Sequence, residues 1–169
     1  KTAPVTPQPA AEKKAFVIGI LAPRGGMGVS TVAANLGDAL RQASKAEVIV
    51  AEMRPGKGTL GPDMGEPNPT ALREFLSGNI ADLTRQKVKD KLFNHETGLK
   101  LLFGTVQPKD AELVTALAPM EALINRLSYL ASYVVLDLGT GLTPKVQKLL
   151  PVCNLVLVIV EPVANPVAH

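Results

Sequence analysis

The stretch FVIGILAPRGGMGVST, Phe16 to Thr31, decides how the rest of the chain is read. An apolar run too short to cross a membrane feeds a glycine-rich turn, and the turn opens directly onto a helical pattern. Gly25, Gly26 and Gly28 let backbone N–H groups converge on an anion without side-chain interference. A helix starting near Ser30 aims the positive end of its dipole at the same spot. That layout is a phosphate-binding loop; the plainer reading is a tight strand-to-helix turn whose glycines only permit close packing.

The spacing nearly matches a Walker A motif, Gly-x-x-x-x-Gly-Lys-Ser/Thr, but Pro23 stands at the first glycine and Val29 at the lysine. The loop shape survives better than its chemistry. Arg24, Gly25, Gly26, Met27, Gly28, Val29, Ser30 and Thr31 are the candidate cofactor-binding residues. The hydroxyls of Ser30 and Thr31 lie where such a loop would hold Mg²⁺ and an α-phosphate, and as first-turn residues they would equally serve as helix caps.

Outward from the loop, strands and helices alternate. Ala15–Ala22 reads as a strand apolar on both faces, as a central parallel strand must be. Ser30–Gln42 reads as a helix, with Val32, Ala33, Leu36, Ala39 and Leu40 at helical spacing. Glu47–Glu52 is a second strand, which completes a right-handed βαβ unit. Met53–Pro69 is a long Gly/Pro-rich loop, followed by a short helix with Asn68 as N-cap, Pro69 at its first position and Gly78 at its end. Asp82–Asn94 reads as a mostly polar helix. Leu99–Phe103 is a third strand, and residues from Leu117 to Leu130 give a one-faced helix. Tyr133–Asp137 is a fourth strand ending on an acid. Thr143–Leu150 is a short helix, and Asn154–Val160 is a fifth strand.

This alternation predicts an α/β fold with a doubly wound, mostly parallel sheet, abbreviated at the C-terminus, whose ligands bind beyond the carboxyl ends of the strands. The glycine loop, Glu52–Gly58, Gly104, Asp137–Gly141 and Glu161 all fall there. Asp137 matches a Walker B acid, which holds magnesium through water; the plainer role is a strand-end Asp capping the next turn. Ser30 and Asp137 are thus the candidate metal residues. Glu52 is either a remnant switch acid or a solvent contact. Gly26-x-Gly28-x-x-Thr31 followed by Glu52 also resembles a degenerate dinucleotide fingerprint, with Glu52 on a ribose of NAD(P); Thr31 spoils its third position.

Bulk properties bound the function. The 169 residues suffice for one domain, and a net charge of +3, with Lys1, Lys13 and Lys14 at the start, demands no nucleic-acid partner. A single cysteine, Cys153, excludes an internal disulfide. Neither a membrane-length apolar run nor a signal-peptide pattern is present, so a cytoplasmic protein is expected. Residues 1–14, with Pro4, Pro7 and Pro9, read as a proline-rich linker or tail to a 15–169 domain, and an upstream domain is expected in the parent chain. Cys153 and His95 have no metal-spaced companions.

These motifs together resemble the MinD/ParA family of deviant Walker A ATPases, and most of all its CpaE/TadZ branch, which localises pilus-assembly machinery. The family's Lys-Gly-Gly-x-Gly-Lys-Ser/Thr-Thr loop is matched by Arg24–Thr31, and its Asp-x-Asp by Glu52-Met53-Arg54. The branch-typical Asp-Ala-Glu-Leu-Val stretch is matched by Asp110–Val114, the family's Tyr-Val-Val-x-Asp strand by Tyr133–Asp137, and the family's Val-Thr-Glu-Pro turn by Val158–Pro162. The resemblance implies ATP and Mg²⁺ as cofactors and protein partners, either a second copy or a pilus or secretion machinery. It also implies a loop lysine on the phosphates, a signature lysine that crosses a dimer and a second switch acid that positions water. Here those three positions hold Val29, Arg24 and Arg54. Phosphoryl transfer is mainly positioning and charge neutralisation. The expectation is therefore a pseudo-ATPase binding module, holding nucleotide weakly or not at all. A slow ATPase using Arg24 is the alternative from the enzyme class.

Overall fold

A computed structural model describes residues 13–162. Most of the expected 1–14 linker, and the last seven residues of the expected domain, lie outside the described residues. Six strands form one sheet: β1 (Phe16–Ala22), β2 (Val48–Glu52), β3 (Phe93–Asn94), β4 (Lys100–Leu102), β5 (Tyr133–Thr140) and β6 (Leu155–Val158), in the spatial order β3-β4-β2-β5-β1-β6. All neighbours are parallel except β3 and β4. The expected doubly wound α/β sheet is what is observed.

Alternation along the strands makes two cores. Ile18, Ile20 and Ala22 of β1, Val48 and Val50 of β2 and Val135 of β5 face α1 (Val29–Ser44). Val17, Leu21, Ile49, Ala51, Val134, Leu136 and Leu138 face the opposite layer. That layer holds α3 (Ala71–Ser77), α4 (Arg85–Asp90), α5 (Leu117–Leu127) and α6 (Pro144–Leu149), while α2 (Leu60–Asp63) is a single turn within the loop after β2. Strands buried on both faces need continuous apolar runs, which is why β1, β2 and β5 stand out in the sequence.

Helix α1 approaches β2 through Gly37, where an added Cβ would stand 2.3 Å from a Val50 methyl. Its buried stripe is accordingly Val29, Ala33 and Gly37, and Val32, expected on the inner face, is exposed. The expected helix over Asp82–Asn94 is instead a 3₁₀ turn at Ile80–Asp82, the six-residue α4 and the two-residue β3. Polar residues there cap and pair locally: the Thr84 hydroxyl accepts from the Lys87 N–H at 3.2 Å. The expected Asn68 cap is also displaced, since α3 begins at Ala71 after Thr70, with Gly78 closing it as expected.

Among the described residues no helix is long and apolar enough to cross a membrane. Strand β6 lies at the sheet edge, with Leu155 and Val158 exposed. Asn154 starts it by pairing with Val17 twice: its Oδ1 accepts from the Val17 N–H and its own N–H donates to the Val17 carbonyl, both at 2.8 Å.

Candidate functional site

The glycine-rich turn connects β1 to α1 at the carboxyl end of the sheet. Gly26 (φ 79°) and Gly28 (φ 76°) take left-handed backbone, which only glycine adopts without strain, and Gly28 is the N-cap of α1. No side chain caps this helix, so Ser30 and Thr31 do not play the capping role open to them in sequence. Gly25, Gly26 and Gly28 are exposed, and Met27 packs half-buried against the α1-side core. Val29 does the same more deeply, 5% exposed among Ile18, Ile20 and Ala33. The side chain at the position of the loop lysine is thus, in this chain, part of the core. Arg24 leaves the loop altogether: its guanidinium pairs with the carboxylate of Glu161 beyond β6, and both side chains are exposed.

The strand ends beside the loop carry the charged groups. In the β2–β5 register Glu52 sits opposite Asp137, so two fully buried carboxylates lie side by side. Each is spoken for by the protein. Glu52 Oε1 accepts from the Thr59 N–H (2.7 Å), and Oε2 from the Gly104 N–H (2.9 Å). Burial pushes the Glu52 carboxyl above its ordinary range, a rise opposed by the Thr59 and Gly104 bonds, reinforced by Asp137 and opposed again by Arg54. Glu52 is thus neither a solvent contact nor a group free to reach a ribose, which removes the structural basis of the NAD(P) alternative.

Asp137 Oδ2 accepts the Ser30 hydroxyl proton at 2.5 Å, and Oδ1 accepts from the Gly139 N–H at 2.8 Å. Arg54 completes the cluster. Its Nη1 donates to Ser30 Oγ at 2.8 Å and lies 3.7 Å from Glu52 Oε1 and from Asp137 Oδ2. The stem of Arg54 rests on Gly139, where an added Cβ would lie 3.0 Å from Nε and 3.2 Å from Cδ. The Thr59 hydroxyl closes the ring, 3.2 Å from Glu52 Oε1 and 3.3 Å from Ser30 Oγ.

The structure therefore brings Ser30 and Asp137 together, as their proposed pairing requires, and separates Arg24 and Val29 from them. Sequence reasoning placed Gly139 in the stretch at the strand ends without a role, and missed Thr59 and Thr105. Thr105 accepts from the Gly56 N–H through its hydroxyl (2.8 Å) and from the Gly58 N–H through its carbonyl (2.9 Å), fixing the loop that aims Arg54. The only signal in sequence is a polar residue just past an apolar strand.

A resident Mg²⁺ does not fit this arrangement. It requires nearly octahedral oxygens at about 2.1 Å. Ser30 Oγ gives its proton to Asp137 and accepts an N–H from Arg54, so the oxygen such an ion would use already faces a cation.

A six-stranded, mostly parallel sheet with a glycine-rich β1–α1 turn and an acid at the end of the adjacent strand gives the chain a P-loop fold like that of ParA/MinD structures. Several solved structures share the fold. A chimerical protein, CapA2B2, is 24% identical over 93% of this chain and 66% of its own, with a TM-score of 0.70. A cobyrinic acid a,c-diamide synthase from Mycobacterium smegmatis, with bound ADP and magnesium, is 19% identical over 86% and 60%, with a TM-score of 0.68. A ParA family ATPase from Chlorobium tepidum TLS is 18% identical over 88% and 60%, with a TM-score of 0.62. No curated protein matches. The chain belongs to the family described as cellulose biosynthesis protein BcsQ, which it matches over residues 16–169. It spans 60% to 66% of the length of the three solved relatives.

Proposed function

We propose that this chain is a ParA/MinD-like pseudo-ATPase domain that works by binding and localising partners rather than by turning over nucleotide. One observation carries the reading: the position of the loop lysine is a valine buried in the α1-side core, 5% exposed. Transfer of a phosphoryl group depends on cations and donors aimed at the charge that develops, and the family's contribution from that position is absent. Backbone N–H groups of Gly25–Ser30 remain to receive a phosphate, so a nucleotide binds weakly there or not at all. Arg24 does not replace the lysine, because its guanidinium is paired with Glu161 on the far side of β1. That weighs against the slow-ATPase alternative.

The partners proposed are proteins: a second copy of the domain and an assembly machinery at the cytoplasmic face. The BcsQ family description names cellulose biosynthesis, and Asp110–Val114 resembles the CpaE/TadZ branch tied to pili. Both point to export or assembly of an extracellular polymer. Two measurements test the proposal. Purified protein should release no phosphate from Mg-ATP above the buffer rate, and ATP or ADP should raise its melting temperature little or not at all. Sustained release that Arg24→Ala abolishes would replace the pseudo-ATPase with the slow enzyme.

A further inference from the structure

The cluster at the ends of β2 and β5 is a cation site whose cation belongs to the chain. Two buried carboxylates, Glu52 and Asp137, and the Ser30 hydroxyl surround the guanidinium of Arg54, while the Thr59 hydroxyl braces Glu52 and Ser30 from behind. We infer that Arg54, seated on Ser30 Oγ beside the Ser30–Asp137 hydrogen bond, supplies the positive charge that a divalent metal would bring there, so that the protein excludes such a metal from its loop. The inference rests on reading residues 24–31 as a phosphate cradle, but it concerns the metal and stands apart from turnover.

Three features hold the arginine in place. Its Nη1 is fixed on Ser30 Oγ at 2.8 Å, and its stem lies against the bare Cα of Gly139, whose left-handed backbone (φ 73°) suits glycine. The loop that carries it is fastened at Gly56 and Gly58 by Thr105, and at Thr59 by Glu52. Withdrawal would leave two adjacent buried carboxylates without their cation, which is the costly way to break a buried pair. Conversely, a metal ion bound to Ser30 Oγ would sit within van der Waals reach of Nη1 and repel it. A guanidinium offers its donors in one plane, a geometry that suits the oxygens on either side of it. Positioning a single positive charge where two are usual also leaves less charge to neutralise phosphates, in keeping with weak nucleotide binding.

The test uses Mn²⁺ alone, without nucleotide, followed by calorimetry and by paramagnetic broadening. The native protein is expected to show no saturable Mn²⁺ site. Arg54→Ala frees the carboxylates and hydroxyls and should gain Mn²⁺ affinity about tenfold or more over the native chain. Arg54→Ala/Asp137→Asn should lose that gain. If Arg54→Ala is unfolded alone, folding restored by Mn²⁺ but not by added NaCl supports the inference equally. Saturable Mn²⁺ binding by the native protein that Asp137→Asn removes would overturn it, as would an Arg54→Ala chain indifferent to Mn²⁺ whether folded or not. These outcomes separate from those for the proposed function. Metal-free phosphate release would sink the pseudo-ATPase and spare this inference, whereas native Mn²⁺ binding without turnover would do the reverse.

Discussion

A Cβ added at Gly25, Gly26 or Gly28 would meet nothing within 4 Å outside its own chain neighbours, whereas one at Gly58 would stand 2.5 Å from the carbonyl oxygen of Gly104. At Gly56 the nearest atom would be the backbone nitrogen of Ala111, 2.6 Å away. Both crossovers leave the carboxyl end of the same sheet, and both are rich in glycine. In the first, glycine keeps space open above a row of N–H groups. In the second, it lets two backbones touch, so that a loop can be locked down and an arginine delivered into the site. Glycine content alone therefore does not mark a ligand cradle; what stands over the glycine does.

That contrast can be broken by mutation, beginning with the acid that anchors the locked crossover. Glu52→Ala should cost about 3 to 5 kcal/mol in urea denaturation, because it strands buried N–H groups of Thr59 and Gly104 and unpairs Arg54. A cost under about 1 kcal/mol would mean that the loop does not hang on this carboxylate. Gly58→Ala should cost about 2 kcal/mol, since the obstructing atom is backbone and cannot swing aside. A neutral result there would erase the distinction between the two crossovers.

A smaller effect concerns the segment packed behind the locked loop. Arg73 grips Asp110 with bonds of 2.7, 2.8 and 2.9 Å, and this holds the Asp110 carboxyl below its ordinary 3.8. A folded-state pKa below the unfolded one adds stability that is complete above pH 3.8 and is lost as pH falls through the folded value. Arg73→Met should therefore shallow the acid limb of a melting-temperature profile below about pH 4, leaving the slope at neutral pH unchanged. Identical acid limbs in variant and native protein would contradict this. Smallest of all, Gly25→Ala should stay within about 0.5 kcal/mol of the native stability, since its φ is not left-handed and the space beside it is open.

The open crossover was legible in the sequence and the locked one was not. Strands β1, β2 and β5 announce themselves because a strand buried on both faces must be apolar throughout, and the glycine turn follows directly from β1. Pairing of Ser30 with Asp137 followed from topology, because β1 and β5 are neighbours. The two-residue β3 carries no periodicity and exists only through its antiparallel pairing with β4. Reversal of charge at Arg54 was visible in the sequence. Its seat on Ser30 was not, since the direction of that side chain depends on Thr105, Gly139 and the backbone of Gly56 and Gly58, all brought in by tertiary contact. Likewise Val29 was recognisable as a missing lysine, while its burial in the core is a fact of packing.

The most direct test of a nucleotide cradle without catalytic charge is steady-state phosphate release from ATP by the native protein, with magnesium and with EDTA. No release above buffer is expected in either condition. Steady magnesium-dependent release that disappears in Asp137→Asn would contradict it.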